Sequence, residues 1–278
     1  MKKLFFLLFL FVFFCGQASA VQEFVQEPNY LPKPDGKYDN HVLFVDQEKM
    51  DLEIIFRSIV TLHTHFHCSK ANENEETEKK LTTEFGGIAL AISSKRILAL
   101  SHVVSECDCA VCEPRHLELE SEKTYLVQEQ GELILLKNIY KNAENDIAIF
   151  SVPDNIELHA FPYPVGNSDE LKVGNFLYQM GDRIGSLVVK EGIVSSVKGP
   201  PKKAVIHRGY GNPDNAFMIS NGVNVRDSGS PVVAIRDGNF ELVGLVQGEF
   251  TNMKRMGWAI RINTICEILK KEGFDICR

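Results

Sequence analysis

The sequence lacks an excess of positive charge. Its 30 Lys and Arg residues face 37 Asp and Glu residues, which gives a net charge of −7, and the sequence pI is about 5.7. A mildly acidic chain has no general electrostatic attraction to nucleic acid or to an anionic membrane. We therefore expect neither among its partners.

Internal repeats are also missing, and no low-complexity segment occurs after residue 20. Apolar residues make up 44% and charged residues 24% of the 278 residues. Such fractions exclude an intrinsically disordered chain, in which few apolar residues accompany a high net charge. The length suits one or two globular domains with a substantial core.

Long apolar runs are absent except at the start. Lys2 and Lys3 precede an apolar run from Leu4 to Cys15, which the small-residue stretch Gly16–Ala20 follows. This run is too short for a hydrocarbon layer of about 30 Å, and the pattern is typical of a secretory signal peptide. We expect cleavage after Ala20 and a periplasmic or secreted protein that does not bind a membrane once the signal is removed.

Six cysteines remain after the signal peptide. In an oxidising compartment an even number favours disulfides, with the pairing left open. The clustered cysteines with nearby His116 leave zinc as an alternative. His63, His65 and His67 alternate along one predicted strand and are interpreted as a solvated polar face rather than a metal site. No metal and no cofactor are expected. The cysteines are Cys68, Cys107, Cys109, Cys112, Cys266 and Cys277.

Short β-like runs separated by turns fill the chain from about residue 57 to 262. Their spacing indicates an all-β protein rather than alternating strands and helices. One helix is predicted at the end, with Thr264 and Glu267 at capping-box spacing and Gly273 as its stop. The acidic stretch from Ser69 to Lys80 is predicted to be a solvated loop.

Three motifs place reactive side chains at strand ends or in a tight turn. His102 follows the apolar run Arg96–Leu100, Asp146 precedes the run Ile147–Val152, and Ser228 lies in the turn before Pro231. A serine hydroxyl becomes a nucleophile when an imidazole accepts its proton, and a carboxylate fixes the imidazole tautomer. The three residue types therefore point to nucleophilic catalysis.

With these motifs in this order, the sequence resembles the chymotrypsin-like (trypsin-like) serine proteases and, most closely, their HtrA/Deg branch. The resemblance covers roughly residues 54–272. Further matching segments flank the three motifs: Gly86–Leu90, Gly192–Ser196, Val223–Ser228, Leu242–Val246 and Gly257–Asn263.

The resemblance implies two antiparallel six-stranded β-barrels with a C-terminal α-helix. The expected organisation is a signal peptide (1–20), an N-terminal arm (21–50), a first barrel (51–162), a second barrel (163–262) and a helix with tail (263–278). It also implies that Cys68 pairs with one of the clustered cysteines, and that Cys266 and Cys277 pin the terminal helix. Because the given sequence ends at Arg278, a PDZ module is not expected.

The same resemblance assigns roles to the site residues. His102 is the general base, Asp146 orients it, Ser228 attacks the substrate, and the N–H groups of Arg226 and Ser228 form the oxyanion hole. The turn departs from the family where Arg226 and Ser230 stand in place of glycine, and Asp227 stands where the HtrA branch has Asn. In trypsin the equivalent carboxylate pairs with a freed N-terminal amine, but no corresponding activation site is found here.

The resemblance further places five residues at the border of a substrate pocket. Four of them are small and suit a modest apolar side chain, whereas Glu249 favours a basic one. The expected function is an exported serine endopeptidase acting on proteins or peptides. The alternatives are a binding or adhesion module with the same fold but a distorted oxyanion loop, and a zinc-binding domain. The pocket residues are Gly222, Val223, Gly248, Glu249 and Ala259.

Overall fold

The structure is a computed structural model that describes residues 34–40, 51–70, 79–104, 118–128, 130–183, 186–202, 211–224, 226–250, 253 and 255–277. The predicted signal peptide, the cluster Cys107–Cys112 with His116, and a strand predicted over 204–207 lie outside the described residues. Residues 35–278 form one compact unit. In the described ranges, no helix combines the length and apolar character that crossing a bilayer requires.

The described part of the chain is dominated by antiparallel strands. The strands are β1 (Ile59–Lys70), β2 (Lys79–Ser93), β3 (Arg96–Ala99), β4 (Glu118–Val127), β5 (Leu133–Leu135), β6 (Lys137–Asn142), β7 (Ile147–Ser151), β8 (Phe176–Arg183), β9 (Ser186–Ser196), β10 (Ala216–Ile219), β11 (Pro231–Arg236), β12 (Asn239–Glu249) and β13 (Gly257–Arg261). The helices are α1 (Leu52–Ser58), α2 (Ser101–Val104) and α3 (Ile262–Lys271). Short 3₁₀ turns occur at Ser168–Glu170 and Pro213–Asn215.

The second half forms a closed six-stranded barrel in the order β10-β13-β12-β11-β8-β9. Its strands alternate in direction, as in the β8–β9 hairpin, where Phe176 pairs with Ile193 and Arg183 with Ser186. In a closed barrel every strand pairs on both sides, whereas an open sheet has two unpaired edges. The predicted all-β fold class with one C-terminal helix is confirmed.

The first half differs in detail from the expected six-stranded barrel. It is a seven-stranded sheet in the order β5-β4-β1-β2-β3-β7-β6. Leu136 is the single residue between β5 and β6, which lie at opposite edges of the sheet. The Leu136 side chain is buried, and its N–H donates to Thr124 O. One chain segment therefore bends at Leu136 and joins the two edges, so that β5 and β6 together act as one bent strand that pairs with β4 and with β7.

Three local predictions are corrected. The strand expected from Arg57 begins at Ile59, because Asp51 accepts hydrogen bonds from the N–H groups of Glu53 and Ile54 and starts helix α1 there. The predicted acidic loop is shorter than expected, because Lys70 pairs with Lys79 at the ends of β1 and β2.

The terminal helix also begins earlier than the capping box indicated. Helix α3 starts at Ile262 without a side-chain cap, so Thr264 and Glu267 lie inside it. Gly273, with φ +84°, follows the helix end as predicted. Ile265 and Leu269 are buried in a core that includes residues of both sheets. Burial of each such side chain stabilises the fold by about 1.5–3 kcal/mol.

The N-terminal segment 35–40 is attached to the second barrel. Tyr38 bridges to Arg236, and the N–H of Asp39 donates to Ile235 O at 2.7 Å. The Tyr38 hydroxyl donates to Glu241 Oε2 at 2.8 Å. Burial and the hydrogen bond to Glu241 raise the pKa of Tyr38 to about 12. This part of the predicted irregular arm is therefore an ordered attachment.

Candidate active site

Strand pairing brings His102 and Asp146 together. Strands β3 and β7 are antiparallel, with Ala99 opposite Ala148, so residues just after β3 lie beside residues just before β7. The His102 main-chain N–H donates to Asp146 Oδ1 at 2.8 Å, and Nδ1 of the His102 ring lies 2.8 Å from Asp146 Oδ2. The His102 side chain is 11% exposed and that of Asp146 1% exposed. The carboxylate thus fixes both the position and the ring orientation of the histidine.

Asp146 adopts a left-handed backbone conformation with φ +58°. Asp tolerates this region better than most residues do, although a positive φ still costs a non-glycine residue free energy. Its N–H donates to Ala143 O, and Asn142 Oδ1 accepts from the N–H of Asn145, which closes the preceding turn. The conformation aims the carboxylate back at helix α2.

A third hydrogen bond to the Asp146 carboxylate, besides the two from His102, comes from the second barrel. Gln247, on β12, donates from Nε2 to Asp146 Oδ2 at 2.9 Å and is buried. Sequence reasoning missed this residue. The available signal was a glutamine directly after the apolar run Leu242–Val246, at a position that continues a buried strand.

The turn that carries Ser228 is held on both sides by one residue of β12. The Gly229 N–H donates to Val246 O at 2.8 Å, and the Val246 N–H donates to Ser230 O at 2.9 Å. On the side of the first sheet, the Ile88 N–H donates to Ser228 O at 3.2 Å. Only glycine fits at position 229, because φ is +88° and a Cβ would clash with Ile88 O.

The Ser228 turn and helix α2 meet at neighbouring residues of β2. Ile88 binds the turn, while the side chain of Val103, next to His102, packs against Gly87 so closely that a Cβ there would overlap it. The turn that carries Ser228 and the helix that carries His102 therefore both lie against β2 of the first sheet.

The residues before Ser228 adopt an unusual turn. Arg226 has φ +76°, a conformation that costs a non-glycine residue on the order of 1–2 kcal/mol. Within the described part of the chain, the N–H groups of Arg226 and Ser228 donate to no protein acceptor. Two neighbouring N–H groups left available in a turn suit an anionic oxygen.

Comparison with known proteins identifies the family. The family description "Trypsin-like peptidase domain" matches residues 87–245. This chain belongs to that family. It is therefore a serine peptidase, a hydrolase. No curated protein matches it significantly in sequence.

Solved structures support the fold assignment. A variant of the HtrA-type protease AlgW with a decapeptide matches with a TM-score of 0.56 and 18% identity, over 81% of this chain and 68% of that one. AlgW itself with a decapeptide gives a TM-score of 0.55 and 18% identity, over 79% of this chain and 65% of that one. AlgW with a tripeptide gives 0.53 and 18%, over 79% and 61%. At this identity the likeness shows the fold, and the peptidase spans about two thirds of the length of these structures.

The predicted pocket residues are neighbours in the peptidase. Gly248 pairs with Trp258 and Glu249 with Gly257 across β12 and β13, and the Gly222 N–H donates to Arg255 O. Val223 and Ala259 are buried in the barrel core, whereas Gly248 and Glu249 are half-buried. A Cβ at Gly248 would overlap the Trp258 ring. The indole therefore occupies the space beside Gly248 in the predicted pocket.

The described cysteines form one disulfide in the peptidase. Cys266 in α3 is bonded to Cys277, with the Cα atoms 5.8 Å apart. The pairing predicted for Cys68 with one of the clustered cysteines lies outside the described residues. His63, His65 and His67 lie half-buried on one face of β1, and the His65 ring lies 4.8 Å from that of Tyr125. Among the described residues, no group of three or more His, Cys, Asp or Glu side chains is arranged to hold a metal.

Proposed function

We propose that the peptidase is an exported endopeptidase that cleaves proteins or peptides through an acyl-enzyme on Ser228. The two hydrogen bonds of 2.8 Å between His102 and Asp146 carry the proposal. Because Nδ1 of His102 is bound to the carboxylate, Nε2 is the ring nitrogen that accepts the proton of the Ser228 hydroxyl. Asp146 stabilises the imidazolium that forms when the Ser228 proton is transferred.

The oxyanion hole is assigned to the N–H groups of Arg226 and Ser228. Ser228 Oγ attacks the carbonyl carbon while His102 accepts its proton, and the carbonyl oxygen becomes an anion that these two N–H groups stabilise. His102 then gives its proton to the leaving amine, and an acyl-enzyme remains. Water attacks the ester, again with His102 as base, and releases the acid. Each N–H group of an oxyanion hole contributes about 2.7–4 kcal/mol to the transition state.

Substrate recognition is assigned to the wall formed by residues 222–223, 248–249 and 257–259. The HtrA-type AlgW structures contain a decapeptide or a tripeptide, which supports a peptide substrate here. The half-buried carboxylate of Glu249 is the one acidic group among the predicted pocket residues. The reaction as derived needs no cofactor.

Export and organisation are proposed from the sequence. Lys2, Lys3 and the apolar run to Cys15 support a signal peptide over residues 1–20 and a periplasmic or secreted location. The change from one sheet to the other between β7 and β8 supports the division into barrels at residues 51–162 and 163–262.

A fluorophosphonate probe tests the proposal, since it reacts with an activated serine. The chain lacking residues 1–20 should be labelled at Ser228, and the variants Ser228→Ala and His102→Ala should not be labelled. Folded wild-type protein that resists the probe, and that cleaves no member of a peptide library, would overturn the proposal. It would favour the alternative, a binding module in which the strained Arg226 keeps the hole unproductive.

A further inference from the structure

A buried ion pair lies directly under the turn that carries Ser228. Lys190 Nζ and Asp227 Oδ2 are 2.5 Å apart, and their side chains are 19% and 3% exposed. Asp227 lies between Arg226 and Ser228, the two residues assigned to the oxyanion hole. Asp227 is buried, and a buried ionised group requires a partner.

Lys190 contacts the turn at two separate points. Besides Asp227, its ammonium donates to Gly222 O at 3.1 Å. Asp227 Oδ2 also accepts from the N–H of Asn224 at 2.7 Å. One cation therefore connects the beginning and the end of the segment 222–227.

The lysine is itself held by the barrel. It lies within β9 opposite Gln179 of β8, and its carbonyl accepts from Asn221 Nδ2 at 2.9 Å. The same Asn221 amide donates to Leu177 O on β8 at 3.1 Å. The ammonium is thus presented from a paired strand, which is rigid relative to the turn that it supports.

The pair offsets the strain in the turn. Arg226 occupies a positive φ that an arginine does not favour, and the neighbouring Asp227 is fixed by Lys190 and the Asn224 N–H. Removal of the ammonium takes away the cation that lies 2.5 Å from the buried carboxylate, so the carboxylate is held less firmly. A shift of the carboxylate rotates the peptide group between Asp227 and Ser228, whose N–H belongs to the proposed hole, and moves the neighbouring Arg226.

We infer that Lys190 is a positioning residue that holds the oxyanion turn in its working shape through Asp227. This inference rests on the proposed function. Because the cation belongs to a strand, the working shape does not depend on a freed chain terminus. The partner that the sequence left unidentified for Asp227 is therefore internal, and the peptidase is expected to be active without N-terminal activation cleavage.

The rate of fluorophosphonate labelling tests the inference. Lys190→Met should slow labelling by at least about tenfold, and Lys190→Arg should retain most of the rate because it keeps the cation. The matched control is Lys141→Met, since Lys141 forms an ion pair with Glu122 at 2.8 Å with side chains 26% and 22% exposed, on the first sheet. Equal rates in folded Lys190→Met and Lys141→Met would overturn the inference while leaving the proposed function intact.

A second readout does not need activity. Hydrogen exchange of the amides in 222–230 should accelerate in Lys190→Met and remain unchanged in Lys141→Met. If wild type is not labelled at all, the proposed function fails, and this exchange comparison alone decides whether Lys190 orders the turn. Unchanged exchange in Lys190→Met overturns the inference in either case.

Two further variants test the mechanism. Asp227→Asn combined with Lys190→Met should be little slower than Lys190→Met alone, because two members of one pair are not additive. A wild-type chain with an uncleavable N-terminal extension should be labelled at the unextended rate. Additive losses in the double variant, or strong inhibition by the extension, would contradict an internal cation.

Discussion

Gln247 and Asp146 join the two sheets through a single hydrogen bond of 2.9 Å at the active site. Asp146 precedes a strand of the first sheet, and Gln247 lies on β12 of the second barrel, one residue after Val246, which binds the Ser228 turn. The bond thus connects the group that orients the histidine to the strand that positions the nucleophile.

Replacement of Gln247 by Leu should lower kcat/KM or the labelling rate by about tenfold or more. A hydrogen bond to a charged group contributes about 1.5–3 kcal/mol, and Asp146 is buried, so water cannot readily replace the amide. Stopped-flow labelling measures the effect. Substitution of exposed Asn239 on the same strand is the control, and an unchanged rate in Gln247→Leu would exclude the positioning role.

Replacement of Arg226 by Gly should stabilise the fold by roughly 0.5–1 kcal/mol without abolishing labelling. Glycine adopts positive φ without the steric cost that arginine bears, although it gains entropy in the unfolded chain. Chemical denaturation measures the change. Arg255→Gly, at φ +70°, should give a similar gain outside residues 222–228. A loss of stability in Arg226→Gly would mean that the arginine side chain contributes more than its backbone costs.

Alkaline pH should destabilise the fold partly through Tyr38. Its pKa of about 12 lies above the ordinary value of 10, so between these values the unfolded chain releases a proton that the folded chain keeps. Stability therefore falls as the pH rises from about 10 to about 12. Denaturation at pH 9 and pH 11 should show a smaller decrease in Tyr38→Phe than in wild type.

Tyr163 provides the matched comparison for that titration. Burial, with a smaller effect of Asp51, raises its pKa to about 12 as well. Tyr163→Phe should remove a similar share of the decrease. An identical pH dependence in wild type and both variants would show that neither phenol contributes.

Removal of the Cys266–Cys277 disulfide should lower the free energy of unfolding by about 2–3 kcal/mol, as expected for a short closed loop. Here the two cysteines are 11 positions apart in the chain. The double variant with Ser at both positions, compared with wild type in denaturant, measures the loss. Hydrogen exchange should increase in 262–276 and not in β12. A loss below 0.5 kcal/mol would show that packing alone fixes the tail.

Much of the fold was predictable because its signals are local. The predicted runs Arg96–Leu100 and Ile147–Val152 agree with β3 and β7 to within one residue, since buried β-runs bounded by turns are recognisable in a window of a few residues. The bend at Leu136 was not predictable in this way. The sequence predicts a strand only over Glu132–Leu136, whereas β5 and β6 are assigned to opposite edges by their pairing with β4 and β7.

The residues of the candidate site also differ in whether a local sequence signal marks them. His102, Asp146 and Ser228 are predicted because each follows or precedes a recognisable strand in a known order. Gln247 and Lys190 were missed because their meaning lies in contacts with residues 101 and 37 positions away in the chain. A glutamine after an apolar run and a lysine in a half-polar strand carry no local sign of such a partner.

The attachment of residues 35–40 to the second barrel has a consequence for fragments of this chain. A protease cut in the connection between β7 and β8 would leave an N-terminal piece that contains the whole first sheet together with Tyr38 and Asp39. That piece still holds the main-chain hydrogen bond from Asp39 to Ile235 of the other piece. The two pieces of a nicked molecule are therefore joined both at the Ser228 turn and through residues 35–40. They should co-elute until denaturant is added.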